Sequence, residues 1–417
     1  MIKLDSYNLM GYKNILEAKL SFNDINVIIG PNNSGKSNFI QSISFINFII
    51  NSASTDDLER FFRDGFYGAY FKEIIPMSDL FLEDSNEFDI SFSLKFSNTD
   101  TNRVFNYNLE IQAEEDLFDV SYKINNESLD AKEINKPGKA ESVFKREGQK
   151  VTFGAKLSKT SLLEDVPDFF SVVRVLKLVL KAESDSDSAY LDAINSLNSI
   201  VKTPIFYFSN LELLKSDSAD RLNHYNGRVV AFELEEEIIN LESTNNWGIF
   251  KEALNNILNI DEVVVREYRY ANEDNKSKRR RRKFLNFNHF GTRKAIRNFS
   301  DGTVLIIALI TKVLSSDNDL FFIEEPENST HPKALIDLFS FIKSFSTHKQ
   351  FVLTSHSIAI LNKTKTENII VSSVDERGKS TLYNISNRKE LRKRLKQGQI
   401  NFSDELFFGN IDEDEFE

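Results

Sequence analysis

Cysteine is absent from the 417-residue chain, which excludes a disulfide framework and a thiolate zinc site. No apolar stretch approaches the ~20 residues that a membrane-spanning helix needs; the longest clean run is Val304–Ile310. The opening Met1-Ile2-Lys3-Leu4-Asp5 interleaves acid and base, so no signal peptide is expected. Positive charge is not in excess either: 52 Lys and Arg stand against 63 Asp and Glu, a net charge of −11. That excludes wholesale polyanion binding and confines any nucleic-acid contact to a local patch. These absences predict a cytoplasmic protein with no membrane contact. What is present is an ordinary globular composition, 41% hydrophobic and 28% charged, long enough at roughly 150 residues per domain for two to three units. The 36 Phe residues read as core filler.

Periodicity sets out the elements. Ile25–Ile29 is a short buried strand, and Phe39, Ile43, Ile46 and Ile50 share one face of a helix over 37–50. Strict alternation at Phe88–Phe96, Phe105–Ile111 and Phe118–Ile124 predicts an antiparallel meander with one buried face, and Lys136-Pro137-Gly138 leads into a hairpin ending near Val151–Phe153. Residues 167–201 read as helical with a break at Ser184–Ser188, and 229–260 as helical and acidic. Val263–Tyr270 and Lys283–His289 read as strands joined by a basic tip. Further strands are expected at Ile205–Phe208, Leu320–Ile323, Phe351–Thr354, Asn368–Ser372 and Thr381–Ile385, with helices at Pro332–Phe345 and Arg388–Lys396 and an acidic end at Asp412–Glu417. Strands near residues 25, 320 and 351, each followed by a loop and a helix, point to one parallel α/β sheet assembled from both ends of the chain.

Four stretches carry chemistry. Gly30-Pro31-Asn32-Asn33-Ser34-Gly35-Lys36-Ser37 matches G-x-x-x-x-G-K-[ST] in full, between a strand and a helix, with Asn38 following. Small residues let backbone N–H groups converge on phosphate, and the helix start adds partial positive charge. Lys36 would bridge the β- and γ-phosphates and Ser37 would ligate Mg²⁺. Leu320–Ile323 ends in Glu324, Glu325, Pro326 and Glu327. Carboxylates gathered at a strand end repel one another unless a cation sits there, so Glu324 is a metal candidate and Glu325 a water-orienting one, although an exposed acidic loop has the same spelling. Ser300, Asp301, Gly302 and Thr303 precede an apolar helix; they read either as a plain helix start or as a second anion site supplied to another copy of the chain. His356, one of five His residues, follows the strand at 351–354, where a structural role and a γ-phosphate contact are both open.

The order of these pieces resembles the ABC-type ATPase head, and more narrowly the SMC/RecF/OLD branch. Asn8–Ile15 resembles that branch's N-terminal strand and turn, and Glu324-Glu325-Pro326-Glu327 with His331-Pro332 is similar to the OLD-type acidic strand end. The resemblance implies an α/β P-loop head with an inserted helical subdomain, divided as an N-terminal ATPase lobe (1–165), a helical insertion (166–260) and a C-terminal lobe (261–417). It also implies a head-to-head homodimer, or a higher homo-oligomer, with ATP and Mg²⁺ between Gly30–Asn38 and the opposing Ser300–Thr303. Glu325 would then be catalytic, Glu324 would hold metal, and His356 would be the switch histidine. Glu324 where many such ATPases have Asp, Asp301 for the second signature Gly, and Thr303 for Gln depart from the wider pattern and suit the OLD-like branch.

OLD-type nucleases continue into a Toprim domain. Here about sixty residues follow His356 with no evident acidic nuclease cluster, so a head working with a separately encoded effector (Toprim or HNH) is expected, as in the PARIS and Septu antiphage systems. A RecF-like ATPase acting on DNA is the alternative, and a transporter subunit is disfavoured by the β-rich insertion. Lys276–Arg297 holds ten Lys and Arg and no acid. Its centre, Lys278, Arg279, Arg280, Arg281 and Arg282, can contact nucleic acid or an acidic partner, or be a solvated tip.

Overall fold

The computed structural model describes residues 1–51, 82, 89–116, 119–154, 166–182, 188–207, 234–272, 275–328 and 330–385. Its strands are β1 (Ile2–Tyr12), β2 (Ile15–Ser21), β3 (Ile25–Ile29), β4 (Asp89–Asn98), β5 (Arg103–Asp116), β6 (Asp119–Glu133), β7 (Glu141–Glu147), β8 (Lys150–Phe153), β9 (Ile205–Tyr207), β10 (Ile260–Asn272), β11 (Asn275–His289), β12 (Thr292–Lys294), β13 (Leu320–Glu324), β14 (Gln350–Thr354), β15 (Ile369–Val374) and β16 (Ser380–Asn384). Its helices are α1 (Lys36–Asn51), α2 (Val172–Ala182), α3 (Ser188–Val201), α4 (Leu234–Leu241), α5 (Trp247–Leu258), α6 (Asp301–Ser315), α7 (Pro332–Phe345) and α8 (Ile358–Lys363). The chain divides into two compact units: Met1–Ile205 with Asn318–Phe322 and Ser346–Glu417, and Phe206–Asp317 with Ile323–Phe345.

The first unit is built on a mixed sheet of order β8-β7-β6-β5-β4-β1-β2-β16-β15-β3-β14-β13-β9, which β9 and β13 enter through Ile205 and Leu320–Phe322. β3 is buried at all five positions, as a strand flanked on both sides by parallel neighbours, β14 and β15, should be. The expected α/β sheet drawn from both chain ends is therefore present, and the meander continues it rather than forming a separate layer. β1 pairs antiparallel with β4, and β4 through β8 follow as consecutive hairpins. Phe88 and Phe118 lie outside the described residues. β6 runs on past Ile124 to Glu133, because a register shift at Glu110/Ile111 keeps it paired with β5 and buries Leu129 and Ala131. The helix expected over 37–50 is α1. Phe39, Phe45, Tyr7, Tyr12 and Phe92 interlock between α1 and the sheet, with ring centroids 5.1 Å apart for Tyr7–Phe39 and 5.9 Å for Phe45–Phe92. A side chain of this size contributes about 1.5–3 kcal/mol on full burial.

A buried polar network ties α2 to the meander. The Glu127 carboxylate accepts from the Tyr107 hydroxyl (2.9 Å), the Ser171 hydroxyl (2.6 Å) and the Val172 amide (2.7 Å) at the start of α2. Arg146, fully buried, donates to the carbonyls of Gly148, Val166, Pro167 and Phe170. Burial pushes the Glu127 carboxyl above its ordinary value, against the opposing pull of Ser171, Val172, Tyr107 and the Arg146 charge.

In the second unit α6 is buried on nearly every side, the signature of a core helix. Glu237 of α4 holds it through Lys312 (3.1 Å) and Ser315 (3.0 Å), and Asn246 donates to the Leu314 carbonyl (2.8 Å). The acidic helical stretch expected over 229–260 is two helices. Thr244 ends the first by donating to Leu241 O and accepting from the Asn246 amide, and Asn259, left-handed at φ +52°, ends the second. Residues 229–233 lie outside the described set. Asn259 also turns the chain into β10, which begins at Ile260 and pairs with β11 to the far end of the hairpin, so the basic tip is strand rather than loop. β12 was not legible in the sequence. The expected helix Arg388–Lys396 and the acidic end 412–417 lie outside the described residues. Among the described residues, no helix is long and apolar enough to cross a membrane.

Candidate functional site

The phosphate loop leaves β3 at Gly30 and enters α1 at Lys36. A side chain at Gly30 would strike the Ser372 carbonyl oxygen, and Gly35, at φ +86°, would bring a Cβ to 3.0 Å from Ser380. Both positions therefore require glycine, on packing grounds at the first and conformational ones at the second. Asn33 is itself left-handed at φ +62°. Lys36 is only 4% exposed, and its ammonium donates to the carbonyls of Gly30 (3.0 Å) and Pro31 (2.6 Å). The Ser34 hydroxyl is buried with no hydrogen-bond partner. An ammonium turned onto its own loop, an orphaned hydroxyl and a cradle that admits no Cβ all fit the phosphates of a nucleotide.

Three clamping residues were not found by sequence reasoning. Asn14, in the turn between β1 and β2, donates through Nδ2 to the Asn33 carbonyl (3.1 Å) and the Ser380 hydroxyl (2.7 Å), and accepts from Asn38 Nδ2 (2.7 Å). The Ser372 hydroxyl donates to the Ser34 carbonyl. Asn14, Ser372 and Ser380 reach the loop only through sheet pairing, so local sequence carries no sign of them beyond the polar turn at Lys13-Asn14.

His356 belongs to the same unit and the same end of the sheet. Thr354 pairs with Ile28, and the Ser355 amide donates to the Ile28 carbonyl (3.0 Å). His356 thus follows the carboxyl end of β14 just as Gly30 follows that of the adjacent parallel β3, the edge at which open α/β sheets bind ligands.

The remaining expected residues lie in the second unit. Glu324 ends β13 and Glu325 follows it with φ +47°, a left-handed conformation that costs a non-glycine residue about 1–2 kcal/mol. Asn328 holds Glu325 by donating from Nδ2 to Oε2 (2.9 Å) and from its amide to the carbonyl (3.0 Å). Ser300 stands at the N-cap of α6 but makes no capping bond; its exposed hydroxyl pairs instead with that of Thr303 (2.9 Å). Asp301 is exposed and Gly302 buried. Lys278–Arg282 lie within β11, with side chains outside the described set. No cluster of three or more His, Asp or Glu suited to a metal occurs among the described residues.

A strand-loop-helix phosphate cradle on parallel strands defines a P-loop nucleotide-binding protein of the α/β ATPase-head type. A family model described as "AAA domain, putative AbiEii toxin, Type IV TA system" matches residues 25–362, and the chain belongs to that family, making it an AAA-domain ATPase. No curated protein matches the sequence. Similar solved structures include three SMC heads. One, bound to the C-winged helix domain of ScpA, is 12% identical, with 91% of this chain and 97% of that one covered and a TM-score of 0.46. The SMC head domain from Thermotoga maritima is 12% identical over 92% and 98%, with a TM-score of 0.42. The Smc head with an extended coiled coil from Pyrococcus furiosus, bound to the C-terminal domain of ScpA, is 12% identical over 95% and 100%, with a TM-score of 0.47.

Proposed function

We propose that the chain is an OLD-like cytoplasmic ATPase whose two copies close around ATP and Mg²⁺, and that this cycle regulates or scaffolds a separately encoded effector in antiphage defence. The observation that carries the reading is the phosphate cradle, with Lys36 buried against its own loop carbonyls and ready to exchange them for phosphate oxygens. Gly30, Asn32, Asn33, Ser34, Gly35 and Asn38 shape the loop, Ser37 would hold the metal, and Glu324 is the other candidate for that role. A metal held there would supply charge neutralisation to the phosphates. Glu325 orients and deprotonates the attacking water, its carboxylate aimed by Asn328. His356 contacts the γ-phosphate. Ser300, whose hydroxyl is not engaged in capping its own helix, meets the nucleotide of the opposing copy with Asp301, Gly302 and Thr303. The family description, which names a toxin of a Type IV TA system, supports a two-component role over a transport one.

Glu325→Gln tests the cycle. It should keep ATP binding, slow hydrolysis by about 10²-fold or more, and trap an ATP-dependent dimer visible by sedimentation. Unchanged mass with and without ATP would remove the sandwich. A second reading, a RecF-like ATPase on DNA, is favoured by the paired strand that carries Arg279–Arg282, with Lys278 beside the register shift at its end; hydrolysis stimulated by DNA with a steep salt dependence would select it.

A further inference from the structure

We propose that Phe290 is the anchor by which one copy of this chain grips the nucleotide-loaded face of a second copy, a role that rests on the sandwich reading above. β11 and β12 are joined by a two-residue turn, with His289 paired to Thr292 and only Phe290 and Gly291 between them. Both central residues have positive φ, +50° and +72°, as in the type I′ turn that matches the twist of hairpin strands. That turn favours Asn followed by Gly. Gly291 conforms and Phe290 does not. A bulky side chain in this conformation is strained, and the ring is also 74% exposed, more than any other large hydrophobic among the described residues. The monomer loses by the strain and by the hydrated ring alike. A residue that burdens its own fold in two independent ways points to a contact outside that fold.

The surroundings identify the occupant. The Phe290 ring packs on His289 with centroids 4.3 Å apart, and both His289 and Phe287 meet Phe299 edge-on at 5.5 Å. Lys294 lies 5.5 Å over the Phe299 ring and hydrogen-bonds His289 Nδ1 at 3.1 Å. Phe299 is the residue before Ser300. The exposed ring is thereby continuous, through packed aromatic neighbours, with the turn that the sandwich reading assigns to the opposing copy. Charge points the same way. Arg293 and Arg297 are exposed, and residues 276–300 contain no acid, whereas the whole chain carries −11 and becomes more negative with a triphosphate bound. An aromatic anchor ringed by basic groups has the composition of an interface hot spot.

The test is made in the Glu325→Gln background, comparing Phe290 with Phe290→Asn and Phe290→Tyr. ATP-dependent self-association is followed by sedimentation velocity, beside thermal melts and binding of a fluorescent single-stranded oligonucleotide. Phe290→Asn should melt at or above the parent, since Asn suits the turn, and should bind ATP normally. Its dimer should dissociate about tenfold more readily or worse, and Phe290→Tyr should associate like the parent. Equal association of Phe290→Asn and the parent overturns the proposal. A lower melting temperature for Phe290→Asn removes the strain on which it is built. Loss confined to oligonucleotide binding makes the ring a nucleic-acid contact instead. A parent that shows no ATP-dependent association overturns the sandwich reading, and this proposal with it.

Discussion

Lys36 and Arg146 are both buried cations of the first unit, and both donate to backbone carbonyls, yet they serve opposite ends. Arg146 gathers carbonyls from the β7–β8 turn and from the segment ahead of α2, joining pieces of chain that would otherwise part. Lys36 donates to Gly30 and Pro31 of its own loop, so those bonds join nothing that β3 and α1 do not already join. The first arrangement is a fastening. The second, on the function proposed, holds a charge that a nucleotide phosphate would claim. Burial alone does not separate a structural cation from a binding one; the sequence distance of its acceptors does.

Substitution should split the two roles cleanly. Arg146→Ala leaves several carbonyls and the Glu127 carboxylate without their cation, and should lower stability by about 3–5 kcal/mol in denaturant unfolding, while any protein that still folds binds ATP as before. Lys36→Ala should do the reverse, weakening ATP binding by about a hundredfold, or about 3 kcal/mol, as read by titration calorimetry, with a nearly unchanged melting temperature. If both variants lose both properties, the distinction fails.

The smallest effect is a pH dependence. Burial raises the Glu127 carboxyl above its ordinary value, so the stability of its protonated form is fully present below the unfolded-state value and is lost as pH rises through the folded one. Glu127→Gln does not titrate. The difference in unfolding free energy, Gln variant minus parent, should therefore grow as pH rises above the ordinary carboxylate range, by up to about 1.4 kcal/mol for each pH unit separating the two values. A constant difference would show that the carboxyl titrates as it does in the unfolded chain.

The same contrast explains what the sequence disclosed. The phosphate loop is a local device: spacing, small residues and flanking apolar runs all sit within a dozen positions, and Gly30–Ser37 and α1 are where the pattern predicted. Period-2 alternation likewise showed the meander, since each strand's buried face is spelled out in its own residues. Arg146 and Glu127 were opaque, being single charged residues in polar-looking strands whose partners come from segments far along the chain. Asn14, Ser372 and Ser380 were hidden for the same reason. The extent of β10 and β11 was missed because a run of arginines reads as a solvated tip, whereas cross-strand register is a property of the pair. Phe290 passed unnoticed because exposure and a left-handed φ have no spelling.

The placement of β3 has a consequence for biosynthesis. Its two neighbours, β14 and β15, are among the last strands to be made. As the polypeptide leaves the ribosome, a strand apolar at four of five positions waits with at least one edge bare until synthesis passes Val374. Pairing so remote in sequence is slow, and bare edges invite pairing with the wrong chain. Premature termination before Gln350 would thus release a product with both edges of its phosphate-loop strand uncovered and prone to aggregate, and termination between Thr354 and Ile369 one with a single edge bare.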